Sequence, residues 1–300
     1  MYLINIYKKG GNMNMDNRDG YIWVNGEMVN WRDAKVHSLT HGLHYASSVF
    51  EGERAYNGKI FKSKQHSQRL INSAKILDFN IPYSIDELEQ AKYEVMKANK
   101  LTNCYLRPFA FLGCEMGLQG TGVPVNTIIS AWKWDSYFGE NNMKGLKFNI
   151  AEYRRPDPQT APSHAKAAGL YMICTISKNK AIAEGYDDSL MLDYRGYISE
   201  ATAANIFFLM KDGKLHTPQP DCFLNGITRQ TVIEIAKNIG VEVVERHIEL
   251  DELENTVECF VTGTAAEVMP VRQIDNKYQF TPAKLCKTMI NKYNKVVGKT

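Results

Sequence analysis

The lysine best placed for chemistry is Lys166, in the segment APSHAKAAGLY at residues 161–171. Small side chains surround it, and Tyr171 follows five residues later. A lysine reacts as a nucleophile when its amine is unprotonated and has room for a planar partner, and small neighbours leave that room. The segment alone also fits a solvated surface lysine. Lys166 is therefore a candidate for covalent chemistry that other residues must support.

Two glycine–threonine segments are candidates for binding an anion. In LNGITRQTVIEIAKNIG, residues 224–240, Gly226 and Thr228 stand at the predicted start of an amphipathic helix. The first N–H groups of a helix have no internal partners and lie at the positive end of its dipole, so they suit a phosphate. Thr228 also fits an ordinary helix N-cap. The second segment, FVTGTAAEVMPV at 260–271, presents Thr264 next to a glycine in a turn.

Two charged residues in apolar surroundings complete the set. Glu200 precedes small residues and a hydrophobic strand in YISEATAANIFF, where a carboxylate is either solvated or stabilises a cation. Arg107 lies in YLRPF on the same strand face as Tyr105, and its burial requires a carboxylate partner. An amine nucleophile, a phosphate site and an acid for a pyridine nitrogen are what pyridoxal phosphate needs from a protein. Together with Lys166, these residues indicate that cofactor.

Three other patterns do not point to a site. GKT at 298–300 resembles a phosphate-binding loop, but Tyr293 stands where that loop requires glycine. His37, His41 and His44 lie close together without H-E-x-x-H spacing, so we expect packing or hydrogen-bonding roles and no metal. No G-x-G-x-x-G segment supports a dinucleotide site.

The composition is that of a globular protein that can bury substantial cores. The 300 residues include 36 Lys and Arg and 33 Asp and Glu, with both signs scattered and a net charge of +3, so no nucleic-acid partner is expected. The apolar runs are too short to span a membrane, and the N-terminal residues have the wrong order for a secretory signal. The six cysteines are widely spaced without C-x-x-C, which is typical of free thiols in a reducing cytoplasm.

The first half of the chain predicts strands followed by helices. YIWVNGEMVNW and SSVFEGERAYNGKIF alternate large and polar residues around Asn25-Gly26 and Asn57-Gly58, which predicts two β-hairpins. Ile76 is expected on the buried side of the helix that follows. The predicted helices and strands after the hairpins are helices at 63–79 and 85–100 and strands at 104–113 and 126–134.

The second half alternates strands and helices. Strands are predicted at 146–153, 189–194, 205–210, 241–248 and 259–271, and helices at 170–184 and from GITR to Gly240, before a lysine-rich helical tail. The fold class is therefore α/β, of the α+β type with mixed sheets. We expect a smaller N-terminal α/β domain at 1–137 whose first 18 residues are a disordered extension, a linker at 138–146, and a larger cofactor-binding domain at 147–300.

Ordered motifs make the chain similar to the class IV, fold-type IV pyridoxal-phosphate aminotransferases, whose two-domain fold is that of the D-amino-acid aminotransferases. The residues that match the class motif are Glu200, Asn205-Ile206-Phe207, Leu215, Thr217, Leu224, Gly226-Ile227 and Arg229. Within the class, YIWVNGEMV, HYASSVFEG, HSQRL, YLRP, AKAAGLY and GTAAE resemble the branched-chain amino-acid aminotransferases. The resemblance covers roughly residues 20–290.

The resemblance implies a role for each cofactor-binding residue. Lys166 would bond covalently to pyridoxal 5'-phosphate, Tyr171 would hydrogen-bond its phenolic oxygen, and Glu200 would pair with its ring nitrogen. The phosphate would be held by Arg69, Ile227, Thr228 and Thr264. Leu224 and Gly226 complete the cofactor-binding set.

The resemblance also implies transamination between L-leucine, L-isoleucine or L-valine and 2-oxoglutarate. The backbone of Thr264 and Ala265, with Tyr105, would bind the substrate α-carboxylate. Arg107 would receive the γ-carboxylate of glutamate. The walls of the side-chain pocket would be Phe50, Trp134 and Tyr137.

One departure from the branched-chain pattern leaves alternatives open. SEATAANIF replaces the SEG-x-GEN form, and Ala203 and Ala204 are closer to the lyase and D-amino-acid members. The alternatives are a D-amino-acid aminotransferase, an aminodeoxychorismate lyase, and a non-catalytic binding protein of the same fold. YLRP and GTAAE argue against the first two, and the intact set of Lys166, Tyr171 and Glu200 argues against the third.

The segment HGLHYASSVFEG at 41–52 indicates an interface. It places aromatic and small residues at the start of a strand, which is unusual for a free surface. The resemblance implies a homodimer or a higher homo-oligomer such as a hexamer, in which Tyr45 reaches into the neighbouring site. The alternative is that this segment belongs to the intramolecular core.

Overall fold

The computed structural model describes residues 15–134 and 142–299. Its first sheet has seven strands, all paired antiparallel in the order β2-β1-β7-β6-β4-β5, with β3 also on β6. These strands are β1 (Tyr21–Val24), β2 (Glu27–Asn30), β3 (Ser48–Phe50), β4 (Glu53–Tyr56), β5 (Lys59–Ile60), β6 (Cys104–Leu112) and β7 (Val125–Trp132).

Both predicted hairpins are confirmed. In β1–β2 the pair Asn25-Gly26 has φ of 50° and 100°, and in β4–β5 the pair Asn57-Gly58 has φ of 50° and 82°. A two-residue turn that matches the strand twist requires positive φ at both positions, which asparagine and glycine tolerate.

Two long helices cover this sheet: α2 (Ser63–Ile76) and α3 (Ile85–Ala98), after the short α1 (His41–His44). The prediction that Ile76 faces inward is wrong, because its side chain is 48% exposed. Ala74 is fully buried, and at 3.6 residues per turn a residue two positions later points away from the same face. A left-handed Asp78, with φ of 59°, follows the helix, which stops short of the predicted residue 79.

The second sheet has nine strands in the order β10-β9-β8-β15-β14-β11-β12-β13, with β16 on β15. Its pairings are mixed, since β8 is parallel to both β9 and β15 and β12 is parallel to β13, which confirms the predicted mixed sheet. The strands are β8 (Leu146–Ile150), β9 (Asp188–Leu192), β10 (Ile198–Ala201), β11 (Asn205–Met210), β12 (Leu215–Pro218), β13 (Val243–Arg246), β14 (Thr256–Gly263), β15 (Glu267–Ile274) and β16 (Tyr278–Gln279).

The predicted single strand at 259–271 is wrong. The chain reverses after Gly263, and β14 and β15 pair antiparallel with Gly263 opposite Glu267. Glu267 has φ of 56°, which allows the reversal. The Gly-Thr turn predicted at Thr264 therefore separates two strands, which share a strand-like residue pattern and so look continuous in the sequence.

Three helices pack with the second sheet: α4 (Met172–Ala183), α5 (Ile227–Asn238) and α6 (Lys284–Val297). Short 3₁₀ helices lie at Trp31–Asp33, Asn142–Lys144, Ala168–Tyr171 and Asp251–Asn255. A core of fully buried side chains, which includes Phe207, Phe260, Val232 and Met289, fills the space between the sheet, α5 and α6. No helix among the described residues has the length and apolar character that crossing a membrane requires.

The two sheets contact each other through buried polar groups. Tyr56 of β4 donates a hydrogen bond of 2.7 Å to Glu267 at the start of β15, and Arg54 lies 3.2 Å from the same carboxylate. The domain boundaries remain predictions. Most of the expected extension and half of the expected linker lie outside the described residues.

Candidate active site

The Lys166 amine lies where the two sheets meet. The lysine N–H donates to Ser73 Oγ of α2 at 3.0 Å, and its carbonyl accepts from the Phe50 N–H of β3 at 3.1 Å. Ala167 forms a bridge with Val49 of the same strand. These backbone contacts attach the lysine loop to the first sheet and fix the direction of the half-buried side chain.

Tyr171 is the direct partner of this amine. Lys166 Nζ and Tyr171 Oη lie 2.7 Å apart. The tyrosine ends the 3₁₀ helix that precedes α4, and its ring packs edge-on against Phe50 with centroids 4.7 Å apart. The spacing of five residues noted in the sequence therefore brings a phenol into hydrogen-bond contact with the amine.

Glu200 of β10 is a buried carboxylate, and each of its two oxygens contacts a partner side chain. Arg155 Nη2 lies 2.9 Å from Oε1, and Asn205 Nδ2 donates to Oε2 at 3.0 Å. Burial raises the pKa of the Glu200 carboxyl above its usual range, while the positive charge of Arg155 opposes that rise. The carboxylate is therefore neither solvated nor free to turn.

A cavity, named here the polar cavity, joins these groups. All the residues of the predicted cofactor-binding set line it: Arg69, Lys166, Tyr171, Glu200, Leu224, Gly226, Ile227, Thr228 and Thr264. Other residues of its lining are Arg155, Ala203, Ala204, Asn205, Thr262 and Gly263. Residues from distant parts of the chain thus meet in one place, as the sequence predicts.

The start of α5 opens into the polar cavity. The helix begins at Ile227 and its N-cap is Gly226, without a capping side chain, so the alternative that Thr228 is the N-cap is wrong. The Gly226 N–H donates to Asn205 Oδ1 at 3.2 Å, and a Cβ on Gly226 would overlap that same oxygen. Glycine at this position therefore lets the Asn205 side chain approach the backbone closely. Because glycine has no side chain, it does not cap the first N–H groups of the helix.

Arg69 of α2 brings a positive charge from the first half of the chain. Its Nε and Nη2 bind the two oxygens of the buried Glu51 at 2.6 and 2.8 Å. Burial opposes ionisation of Glu51, yet Arg69 and His66 hold its pKa far below the usual range. Arg69 Nη1 is buried and has no hydrogen-bond partner among the described residues.

A second cavity, of about 320 Å³, is named here the aromatic cavity. It shares Lys166 and Tyr171 with the polar cavity, so the amine is exposed to both. Its lining includes most of the predicted substrate residues: Phe50, Tyr105, Arg107, Trp134, Thr264 and Ala265. The volume lies in the range of small-molecule sites, and the walls combine aromatic side chains with small and charged residues.

Arg107 of β6 lies in the aromatic cavity without a carboxylate partner among the described residues. Its Nη2 lies 3.5 Å from Tyr105 Oη, which confirms that the two side chains share a face. The guanidinium stacks 4.7 Å from the centre of the Phe50 ring. The expected carboxylate partner is therefore absent from the described part of this chain.

Two predicted substrate residues are not placed in either cavity. Tyr45 is 42% exposed and donates to the Met116 carbonyl at 3.2 Å. Tyr137 lies outside the described residues. Among the histidines, His41 Nδ1 lies 2.7 Å from Ser47 Oγ, and His44 Nε2 lies 3.1 Å from a backbone carbonyl.

Sequence reasoning missed three contributors to the site. Arg155 binds Glu200, Glu51 binds Arg69, and Thr262 lines the polar cavity with a buried, unpartnered hydroxyl. Arg155 lies in an irregular loop before a proline, where no periodicity indicates burial. Glu51 lies in the same FEG motif as Phe50, and an acidic residue next to an apolar strand was the available signal.

These residues fit pyridoxal 5'-phosphate. The uncapped start of α5 and the unpartnered Arg69 Nη1 offer donors to a phosphate. Glu200 offers a fixed buried carboxylate to a pyridine nitrogen, and the Lys166 amine can bond to an aldehyde carbon.

Comparison with known proteins identifies relatives of the whole chain. The family model described as amino-transferase class IV matches residues 48–274. A probable branched-chain-amino-acid aminotransferase of Rickettsia felis is 43% identical over 281 residues, which are 92% of this chain and 96% of that protein. The branched-chain-amino-acid aminotransferase of Escherichia coli K12 is 42% identical over 263 residues, or 85% of each chain.

Solved structures of similar proteins have the same fold. The Escherichia coli branched-chain amino acid aminotransferase has a TM-score of 0.87 at 39% identity, covering 91% of this chain and 92% of that one. The T.th. branched-chain amino acid aminotransferase complexed with N-(5'-phosphopyridoxyl)-L-glutamate has a TM-score of 0.88 at 36% identity, covering 94% and 96%. Because the family model matches most of this chain, the chain belongs to the class IV aminotransferases, which use pyridoxal 5'-phosphate.

Proposed function

We propose that the chain is a branched-chain-amino-acid aminotransferase. It moves the amino group between L-leucine, L-isoleucine or L-valine and 2-oxoglutarate, giving the branched 2-oxo acid and L-glutamate. The observation that carries the proposal is the contact of 2.7 Å between Lys166 Nζ and Tyr171 Oη, at the junction of the polar and aromatic cavities. The names of the relatives support the choice of substrates.

Lys166 performs two tasks in this proposal. It holds pyridoxal 5'-phosphate covalently through Nζ, and the cofactor supplies an electron sink for the substrate Cα–H bond. Displaced from the cofactor by the substrate amine, the Nζ amine would be free to accept the proton from the substrate Cα as a base and to give it back as an acid. Tyr171 Oη orients the amine for this transfer and donates to the phenolic oxygen of the cofactor.

The phosphate is bound at the start of α5. Uncapped N–H groups at Ile227 and Thr228 point to an anion, and the Thr228 and Thr264 side chains add hydroxyl donors. Arg69 Nη1 adds a charge-assisted hydrogen bond, because its other two nitrogens are already held by Glu51. Leu224 and Gly226 shape this end of the polar cavity.

Glu200 binds the ring nitrogen and keeps it protonated. A protonated ring withdraws electrons more strongly, so this contact assists removal of the Cα proton. Burial in the polar cavity strengthens the interaction, since little water competes there.

The aromatic cavity binds the substrate. Backbone N–H groups of Thr264 and Ala265, with the Tyr105 hydroxyl, hold the α-carboxylate common to all substrates. Branched side chains pack between Phe50 and Trp134, which exclude water. Glutamate places its γ-carboxylate on the Arg107 guanidinium, which lacks an ionic partner among the described residues.

Other members of the class are the alternatives to be tested. Ala203 and Ala204 line both cavities, so the departure from the branched-chain pattern lies directly at the site. A panel of amino donors containing both enantiomers of leucine and alanine separates the activities. Turnover of L-leucine with 2-oxoglutarate supports the proposal, whereas preference for D-alanine supports a D-amino-acid aminotransferase.

We further propose that the active unit is at least a homodimer and works in the cytoplasm. Within the segment 41–52, Leu43 and Tyr45 are 63% and 42% exposed, and Tyr45 contacts the carbonyl of Met116 in a second stretch where Met116 and Leu118 are 58% and 77% exposed. Exposed apolar groups of this kind favour an interface, and two-fold pairing is the commonest symmetry. The six cysteines, all within the described part of the chain, are free thiols, which fits a reducing compartment.

Borohydride trapping tests the central claim. Reduction of the protein loaded with pyridoxal 5'-phosphate should fix the cofactor on the peptide that contains Lys166, detected by mass spectrometry. Lys178 is the matched control, because it lies on the helix that follows the lysine loop and bonds to the Asp187 carbonyl. Label on another lysine, or normal turnover by Lys166→Ala, would contradict the proposal.

A further inference from the structure

The buried ion pair between Arg155 and Glu200 has no role in the function proposed so far. Both residues are 6% exposed, and Nη2 lies 2.9 Å from Oε1. The Arg155 backbone is fixed by its N–H bond to the Leu192 carbonyl at 2.8 Å, at the end of β9. Its Nη2 also donates to the Thr202 carbonyl at 3.3 Å. The arginine is therefore anchored by neighbours at the ends of two strands.

The second oxygen of Glu200 is anchored independently. Asn205 Nδ2 donates to Oε2 at 3.0 Å and also to the Leu224 carbonyl at 3.0 Å, while Asn205 Oδ1 accepts from Gly226. Asn205 thereby connects Glu200 to the start of α5, where the phosphate is proposed to bind. With one donor on each oxygen, the plane of the carboxylate is fixed.

The charge of Glu200 depends chiefly on Arg155. Burial favours the neutral acid, and a carboxyl group removed from water stays ionised when an opposite charge lies close by. The positive charges of Lys166 and Arg229 also lower the pKa of Glu200, with weaker effects than that of Arg155. The negative charge of Glu200 in turn raises the pKa of the Cys174 thiol on α4. Arg229 has its own ionic partner, since Nη2 lies 2.8 Å from Glu245.

We infer that Arg155 is a positioning residue that keeps Glu200 ionised and oriented toward the ring nitrogen of the cofactor. The inference rests on the role proposed for Glu200. Arg155 does not need to touch the cofactor or the substrate. Its contribution is that Glu200 stays ionised to a lower pH than its burial alone would allow.

The test compares Arg155→Gln with Arg155→Lys. Glutamine keeps a hydrogen-bond donor but removes the charge, so the pKa of Glu200 rises; lysine keeps the charge. An opposite charge at this distance changes a carboxyl pKa by about 1–3 units, so the acid limb of turnover should move upward by about 1–3 pH units in Arg155→Gln. The pH at which the absorption spectrum of the bound cofactor changes should move equally. Arg155→Lys should stay close to the native profile.

Two further variants separate this role from a structural one. Arg246→Met removes another ion-paired arginine of the same half, which contacts Glu252 and lies outside both cavities; it should not shift the profile. Glu200→Gln removes the titrating group, so adding Arg155→Gln to it should change turnover little further. The double variant lacks both buried charges, of Arg155 and of Glu200, so it still provides a test if Arg155→Gln alone does not fold.

The outcomes distinguish the inference from the function on which it rests. A pH-independent loss in Arg155→Gln, an unshifted spectrum, or a double variant that cannot fold would make Arg155 structural and overturn the inference. Unchanged turnover and spectrum in Glu200→Gln would instead contradict the role of Glu200, whatever Arg155 does.

Discussion

The charged side chains of this site differ in the groups that neutralise their charge. Glu51 is a buried carboxylate neutralised by Arg69, with His66 Nδ1 2.6 Å from its Oε2, and Glu200 is one neutralised by Arg155. Arg107 is the opposite case, a half-buried cation that meets a hydroxyl and an aromatic face. A cation removed from water gains most from a carboxylate, which supports the proposal that Arg107 receives one from a ligand.

Replacing Arg107 should impair glutamate more than leucine. A charge-assisted hydrogen bond contributes about 1.5–3 kcal/mol, so Arg107→Met should slow the half-reaction with glutamate by about ten- to a hundredfold. Leucine has no side-chain carboxylate and should react nearly as before. Single-turnover absorbance changes of the bound cofactor measure each half-reaction separately.

An exposed arginine provides the control for Arg107. Arg32 pairs with Asp19 at the surface of the first half, so Arg32→Met should leave both half-reactions unchanged. Equal losses with both donors in Arg107→Met would show that Arg107 binds the shared α-carboxylate or only supports the strand.

At the scale of elements, the proposed anion sites lie at the start of a helix and at a turn between two strands. The start of α5 leaves its first N–H groups uncapped by side chains because a glycine precedes it, with Asn205 packed against that glycine. The turn between β14 and β15 carries Thr264 and Ala265, and Glu267 at its end is held by Tyr56 and Arg54. Each turn is fixed by contacts with a different element, so its backbone groups keep their direction.

Gly226→Ala should weaken cofactor binding through the phosphate. Its φ of −61° suits alanine, so the damage comes from overlap of the new Cβ with Asn205 Oδ1. Strain of about 1–3 kcal/mol would lower the affinity for pyridoxal 5'-phosphate by about ten- to a hundredfold. Titration by fluorescence measures it, and pyridoxal, which lacks the phosphate, should lose much less.

The control lies at the other end of the same helix. Lys237 is exposed in the last turn of α5, so Lys237→Ala should bind both compounds like the native chain. If Gly226→Ala weakens pyridoxal and its phosphate equally, the start of α5 does not hold the phosphate.

On the scale of the whole molecule, neither half contains the site alone. The second half of the chain supplies Lys166 and Glu200, whereas the first sheet and α2 supply Phe50, Arg69 and Arg107. The lysine loop is hydrogen-bonded to both β3 and α2. The proposed third contribution, from a second copy of the chain, would come through the exposed apolar groups near Tyr45.

Mixing two inactive variants tests the shared site. Lys166→Ala removes the nucleophile, and Tyr45→Ala removes the residue proposed to reach into the neighbouring site. After subunit exchange, one site of a mixed dimer would combine Lys166 with the intact Tyr45 of the partner subunit, so part of the activity should return. Activity assays on the mixture, with mass analysis to verify exchange, measure the recovery.

Two outcomes would refute the shared site. The first is verified exchange without recovery of activity. The second is an active monomer in size-exclusion chromatography with light scattering. Tyr93→Ala is the matched control, since this tyrosine is equally exposed, at 43%, but lies on α3 and should leave activity intact.

Short stretches of the sequence determine many of the turns, helices and motifs of this protein. The Asn-Gly pairs specify their hairpins because those residues tolerate positive φ, and the apolar spacing specifies α3 and α5. The ordered motifs around Lys166, Glu200 and Gly226 identified the class and predicted a cofactor-binding set whose residues line one cavity. All these signals come from residues within one turn, one helix or one motif.

Tertiary structure decided what depends on residues far apart in the chain. No local pattern indicates that Arg155 pairs with Glu200 or that Glu51 pairs with Arg69, and the Gly-Thr turn after Gly263 did not by itself show that the two flanking strands pair. A buried charge is stable where packing brings its opposite within contact, and two strands of similar pattern look continuous until a pairing register separates them. The sequence by itself named most of the residues that line the two cavities, and packing alone determined which group neutralises, orients and encloses each of them.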